Sequence, residues 1–149
     1  MLHHPNAKSR MKSMPRFIFF LGLLFSLVSC GVSKNKKLSS DAVEVFHEHF
    51  NHSEFTKIYN SSSTELTDTE TEMKFEKVMV FFRNKLGSFQ GGAQKSWSVN
   101  KTTSGDSVKL TLSSHFEHGD GVENFVFVIS GETAELKSYS VTSPIFKLQ

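Results

Sequence analysis

Three histidines fall close together at 47, 49 and 52, and they are the residues in this chain best suited to chemistry. Histidine titrates near neutral pH, so it serves as general acid, general base or metal ligand. On a helix His47 and His49 stand about 200° apart and cannot grip one ion. His49 and His52, at i and i+3, share a side but have no cysteine or clear carboxylate partner nearby. Zinc needs three or four converging ligands, and nothing in the spacing brings His115 or His118 to them, so no metal site is read here. His49 shares a helical arc with Ala42, Val45 and Phe46. Its ring is therefore expected to line a pocket between helix and sheet, less exposed than His47 or His52. The plainer alternative is a hydrogen-bonded core or rim histidine. Catalysis by His49 would want a carboxylate on an inward strand position. Asp106, Asp120 and Glu123 are the candidates, and two of them read as turn residues. No catalytic residue is assigned. A Gly-x-Ser-x-Gly elbow, a phosphate loop and a dinucleotide fingerprint are all missing. The acidic run Asp68–Glu72 lacks calcium-loop spacing. No cofactor is implied.

Cys30 is the only cysteine, and its surroundings give it a role. Phe17 to Val28 is apolar apart from Gly22 and Ser26, and Lys8, Arg10, Lys12 and Arg16 precede it with no acidic residue between. A basic segment, a short apolar segment and small residues at the exit form a secretory signal. The run is shorter than the roughly 20 apolar residues of a membrane span. Leu27-Val28-Ser29-Cys30-Gly31 resembles the lipobox of bacterial lipoproteins. That resemblance implies a diacylglyceryl group on the Cys30 thiol, cleavage after Ser29, and attachment of the mature chain to membrane through lipid. Residues 1–29 are then the signal, and the start lies at Met1, Met11 or Met14. Gly31 after the cysteine resembles the pattern sent to the outer membrane in Gram-negative cells, facing the periplasm.

All 15 acidic residues lie beyond Cys30, against 13 of the 17 Lys and Arg, so the mature balance is −2 rather than +2. A mildly acidic chain without a basic stripe excludes an electrostatic footprint for nucleic acid. With no second cysteine, the exported part has no internal disulfide and rests on its core. Four of the 15 Phe fall in the signal, which leaves eleven for that core.

Residues 30–40 read as the lipidated cysteine and a flexible tether, polar and without periodicity, and residues 41–149 as a single domain. A helix is expected from Asp41, with Val45, Phe46 and Phe50 inward, and a short one over Glu54–Tyr59, followed by a loop at 60–64. A longer helix follows a capping signal at Thr67/Glu70 or Thr69/Glu72. Phe75, Val78, Met79, Phe82 and Leu86 form its stripe, and Gly87 its C-cap. The period then changes to two. Strands are expected near Ala93–Thr102, at Val108–Phe116, at Val122–Ile129 in a central place, and at Ala134–Thr142. An Asp120-Gly121 turn joins the middle pair, and Gly91-Gly92 makes a bend or bulge. Leu110, Leu112, Phe125, Phe127 and Ile129 complete the expected core. Helices first and an antiparallel meander after predict an α+β domain, its N-terminal helices packed on a four-stranded sheet.

This order resembles the cystatin-like, nuclear-transport-factor-2-like superfamily. Arg83-Asn84-Lys85-Leu86-Gly87 is similar to the close of its long helix, and Leu136-Lys137-Ser138-Tyr139-Ser140-Val141 to its last strand. The likeness covers about residues 40–142 and implies helices against a sheet with an open cone between them. It also implies a range of roles, since a fold does not fix a function. The expectation drawn is an envelope-anchored, non-enzymatic binding or interaction module with an undefined protein or small-molecule partner. The alternative is a small isomerase- or hydrolase-like enzyme using a helix–sheet pocket.

Overall fold

The switch in hydrophobic period after Gly87 divides the fold into helices and then strands. A computed structural model describes residues 26–103 and 105–147, together with Met1, and side chains from residue 31 onward. The expected signal up to residue 25 and the side chain of Cys30 lie outside the described residues. Residues 32–149 form one compact unit.

Among the described residues four helices come first: α1 (Ser26–Asn51), α2 (Phe55–Asn60), α3 (Thr64–Thr69) and α4 (Glu72–Leu86). Four strands follow: β1 (Phe89–Thr102), β2 (Gly105–Phe116), β3 (Gly119–Ser130) and β4 (Thr133–Thr142), with a 3₁₀ turn at Pro144–Lys147. They make one antiparallel sheet in the order β1-β2-β3-β4. The architecture is α+β with an open four-stranded sheet. Val108, Leu110, Leu112 and Phe116 of β2 face inward with Phe125 and Phe127 of β3, as alternation requires. The far edge at β4 is partly covered, because the Ser63 N–H donates to the Leu136 carbonyl at 2.9 Å.

The helical half departs from expectation. The first helix begins at Ser26 rather than near Asp41, so residues 31–40 are helical and not an irregular tether. Its buried positions run Asn35, Ser39, Val43, Phe46, His47 and Phe50, an arc of about 120° that is polar in its N-terminal half. Polar residues carry that face onward, which conceals it from a search for apolar periodicity. They also turn the arc away from Val45, which is 50% exposed. Val78 is likewise exposed, at the margin of α4's buried stripe of Phe75, Met79 and Leu86. Phe82 and Ile129 are partly buried and pack against the core. Thr64–Thr69 is helical where only a loop was expected through residue 64, and Thr71 stands at the N-cap of α4 without a side-chain cap bond.

The central hairpin turns at Glu117-His118, with Phe116 paired to Gly119, and not at Asp120-Gly121. Gly121 lies inside β3, paired with Ser114, where a Cβ would sit 3.1 Å from Val141 and 3.3 Å from Phe116. The register shift between Phe89 and Gly91 supplies the irregularity expected at the glycine pair.

Candidate functional site

The inward positions of β2, β3 and β4 bring Ser114, Glu123 and Tyr139 together beneath α1. Glu123 and Ser114 have no exposed surface, and His47 is 5% exposed. His47 Nε2 lies 3.1 Å from Oε1 and 3.0 Å from Oε2 of Glu123. The Tyr139 hydroxyl donates to Oε1 at 2.7 Å, and the Ser114 hydroxyl donates to Oε2. An oxygen pair already accepting from two hydroxyls requires a donor opposite it, so Nε2 carries the ring proton. Burial first, and then the Glu123 charge, hold the Tyr139 hydroxyl well above the ordinary phenol value, so it remains a donor.

Three rings fix the imidazole. It stacks on Phe89 at 3.5 Å and 4° between planes, and meets Phe46 and Phe125 edge-on, each at 5.7 Å. A carboxylate-backed histidine is oriented as general bases are oriented. Its Nδ1 has no hydrogen-bond partner among the described residues. A cleft of about 410 Å³ reaches the ring between α1 and the β1–β2 sheet, lined by Val43, Glu44, Phe89, Gln94, Leu110 and Leu112 among others. The rest of the space behind the ring is filled by Phe46, Phe50, Phe125 and Tyr139.

His49 lies elsewhere. It lines a larger cleft of about 520 Å³, whose walls are Leu38, Ala42, Val45 and Phe46 on α1 and Ile58, Phe127, Ala134 and Leu136 opposite. Its Nδ1 is 2.8 Å from Glu54 Oε2, across the turn that joins α1 to α2. Hydrogen bonds from Lys57 and then His49 hold the Glu54 carboxyl below its ordinary value. The expectation that His49 is the most enclosed of the three histidines is corrected. His47 takes that place, because the buried arc is centred on Ser39, Phe46 and Phe50. His52 is exposed and contacts the Glu48 carbonyl at 2.8 Å.

Of the three candidate carboxylates, Glu123 meets a histidine in the interior. Asp120 pairs with the exposed His115 at 2.6 Å, and Asp106 accepts from Asn35 at 2.7 Å. The part of Tyr139 and Ser114 had no signal in the sequence beyond their inward parity, two residues or more from any titratable neighbour on the same strand face. No group of three or more metal-ligating side chains converges among the described residues. No helix among them is long and apolar enough to cross a membrane. No protein-family model and no curated protein sequence matches the chain.

Proposed function

We propose that the chain is an envelope lipoprotein, held by lipid on Cys30, whose domain is a non-enzymatic binding module of the cystatin-like, nuclear-transport-factor-2-like kind. The observation that carries the binding reading is the contrast between the two histidines. At Glu123 three donors already satisfy the carboxylate, and the cleft of about 410 Å³ that reaches His47 is not lined by that carboxylate. The cleft of about 520 Å³ on the other side is open and mainly apolar, with Val45 half exposed in its wall and Asp41, Glu132 and Glu135 also lining it. That volume lies within the usual range of ligand sites. In a Gram-negative cell the sequence around Cys30 and Gly31 directs the protein to the outer membrane, facing the periplasm.

Two measurements test the reading. Labelled palmitate should enter the wild-type chain and not the Cys30→Ser chain; full labelling of that variant overturns the anchor. A photo-crosslinking residue at Val45 should form adducts in intact cells, whereas one at the exposed Lys109 of β2 should not. Equal adducts at both positions, or none at Val45, overturn the binding cleft. A second reading, a small isomerase- or hydrolase-like enzyme, has one observation in its favour. His47 is backed by Glu123 and lines a cleft with Nδ1 uncommitted. Turnover of any small substrate that vanishes in a folded His47→Asn chain would establish that reading instead.

A further inference from the structure

The outward side of α4 carries a pattern that packing within the domain leaves unused. At about 100° per residue, Met73, Lys74, Lys77, Val78, Val80, Phe81 and Lys85 fall within one arc of about 160°. Glu72 and Glu76, the helix's two acidic residues, fall outside it. Met73 is 66% exposed, Val78 49%, and Val80 and Phe81 44% each. Large exposed apolar side chains are therefore concentrated on this helix, since only Met1, Val45 and Trp97 join them among the described residues. Neither Lys74, Lys77 nor Lys85 forms an ion pair among the described residues. The domain around them is net acidic, so a purely cationic arc does not follow from overall charge.

We infer that this face of α4 rests on an anionic lipid bilayer. The inference goes beyond the proposed binding role, and the proposed anchor favours a lipid surface over an acidic protein because it already keeps the domain at a membrane. Lysine stems interleaved with apolar side chains suit an interface: the stems lie along the hydrocarbon boundary while the ammonium groups reach the headgroups. The helix needs no folding on contact, because Phe75, Met79 and Leu86 hold its other side in the core. Phe81 is braced by Phe82 at 5.9 Å and Phe146 at 5.7 Å between ring centroids, which makes a firm apolar ledge.

A nitroxide on Val80→Cys in the lipidated full-length chain tests this, with vesicles of phosphatidylglycerol or of phosphatidylcholine. Collisions with a water-soluble nickel complex should fall at least threefold on phosphatidylglycerol and little on phosphatidylcholine. The difference should disappear in the Lys74→Gln, Lys77→Gln, Lys85→Gln chain and in high salt. A label at Lys109→Cys should stay in water throughout. Equal access on both lipids overturns the inference, and so does a label already shielded without vesicles, which would mean a protein covers the face. The Cys30→Ser chain mixed with the same vesicles separates the two readings. Immersion of the label there supports the α4 surface whatever becomes of the anchor; no immersion in either chain overturns the α4 surface, while palmitate uptake by the wild-type chain decides the anchor separately.

Discussion

His47 and Glu123 meet across the interior of the domain, the imidazole Nε2 at 3.0 and 3.1 Å from the two carboxylate oxygens, with both side chains buried. Removing Glu123 strands the His47 ring and both hydroxyls without their acceptor, and removing His47 leaves the buried carboxylate with the Tyr139 and Ser114 hydroxyls alone. His47→Ala or Glu123→Ala should each cost about 3–5 kcal/mol. Replacing both by Leu and Met should cost less than the sum of the singles, because the stranded polar group is gone. Denaturant unfolding of the four proteins in a double-mutant cycle measures this, and strict additivity would count against a coupled pair.

Tyr139 reports on the same carboxylate from β4. Its hydroxyl donates to Glu123 at 2.7 Å, and a hydrogen bond to a charged acceptor is worth about 1.5–3 kcal/mol. Tyr139→Phe keeps the ring contacts with Phe46, Phe82 and Phe125 and removes only that donor. Stability should fall within that range. A change below about 0.5 kcal/mol would mean Ser114 and His47 alone satisfy the carboxylate.

The face of α1 is the next thing to test. Phe46 is buried among Phe50, Phe125 and Tyr139, so Phe46→Ala should cost about 3–5 kcal/mol. Val45, its neighbour, is half exposed, and Val45→Ser should stay within about 0.5 kcal/mol. Chemical denaturation of both variants decides it; comparable losses would restore the face that apolar periodicity suggested.

That reversal shows what the residues do and do not disclose. The meander was legible because β2 alternates in sequence, because β3 is apolar on both faces as a central strand is, and because Gly87, at φ +77°, ends α4 where the period changes. The site was not, because its parts carry opposite signals. Glu123 was one of three candidate carboxylates, but it was sought as a partner for His49, and only the register, which places it opposite Leu112, brings it to His47. His47 looked solvated because Asn35 and Ser39, which define its face, are polar. Parity supplies position, but only tertiary pairing tells which polar residues satisfy one another inside.

Acid should weaken the junction between α4 and the β2–β3 turn. Glu117 accepts from the Ser88 N–H at 3.2 Å and the Ser88 hydroxyl at 3.1 Å, and these bonds, the backbone one first, hold its carboxyl below the ordinary value. A depressed folded value means the contribution is complete above the ordinary carboxylate range and disappears as pH falls through the folded value. Stability measured from pH 6 downward should therefore fall less steeply below about pH 4.3 in Glu117→Gln than in the parent chain. Parallel acid limbs would show that Ser88 does not stabilise the charged form.

His49 separates a structural rim residue from a ligand contact. It lines the open cleft, yet its Nδ1 is already engaged by Glu54 at 2.8 Å, and both side chains are partly exposed. Partly exposed pairs of this kind contribute little to stability, and a glutamine amide can still reach the same carboxylate. His49→Gln should therefore lower the melting temperature slightly and leave crosslinking from Val45 intact. Ala42→Asp, which places a charge on the apolar wall facing any occupant, should abolish that crosslinking while the thermal transition stays cooperative. An unchanged melt of His49→Gln together with complete loss of the adduct would assign the histidine to the partner instead. The cleft would then recognise its occupant through the imidazole rather than through apolar contact.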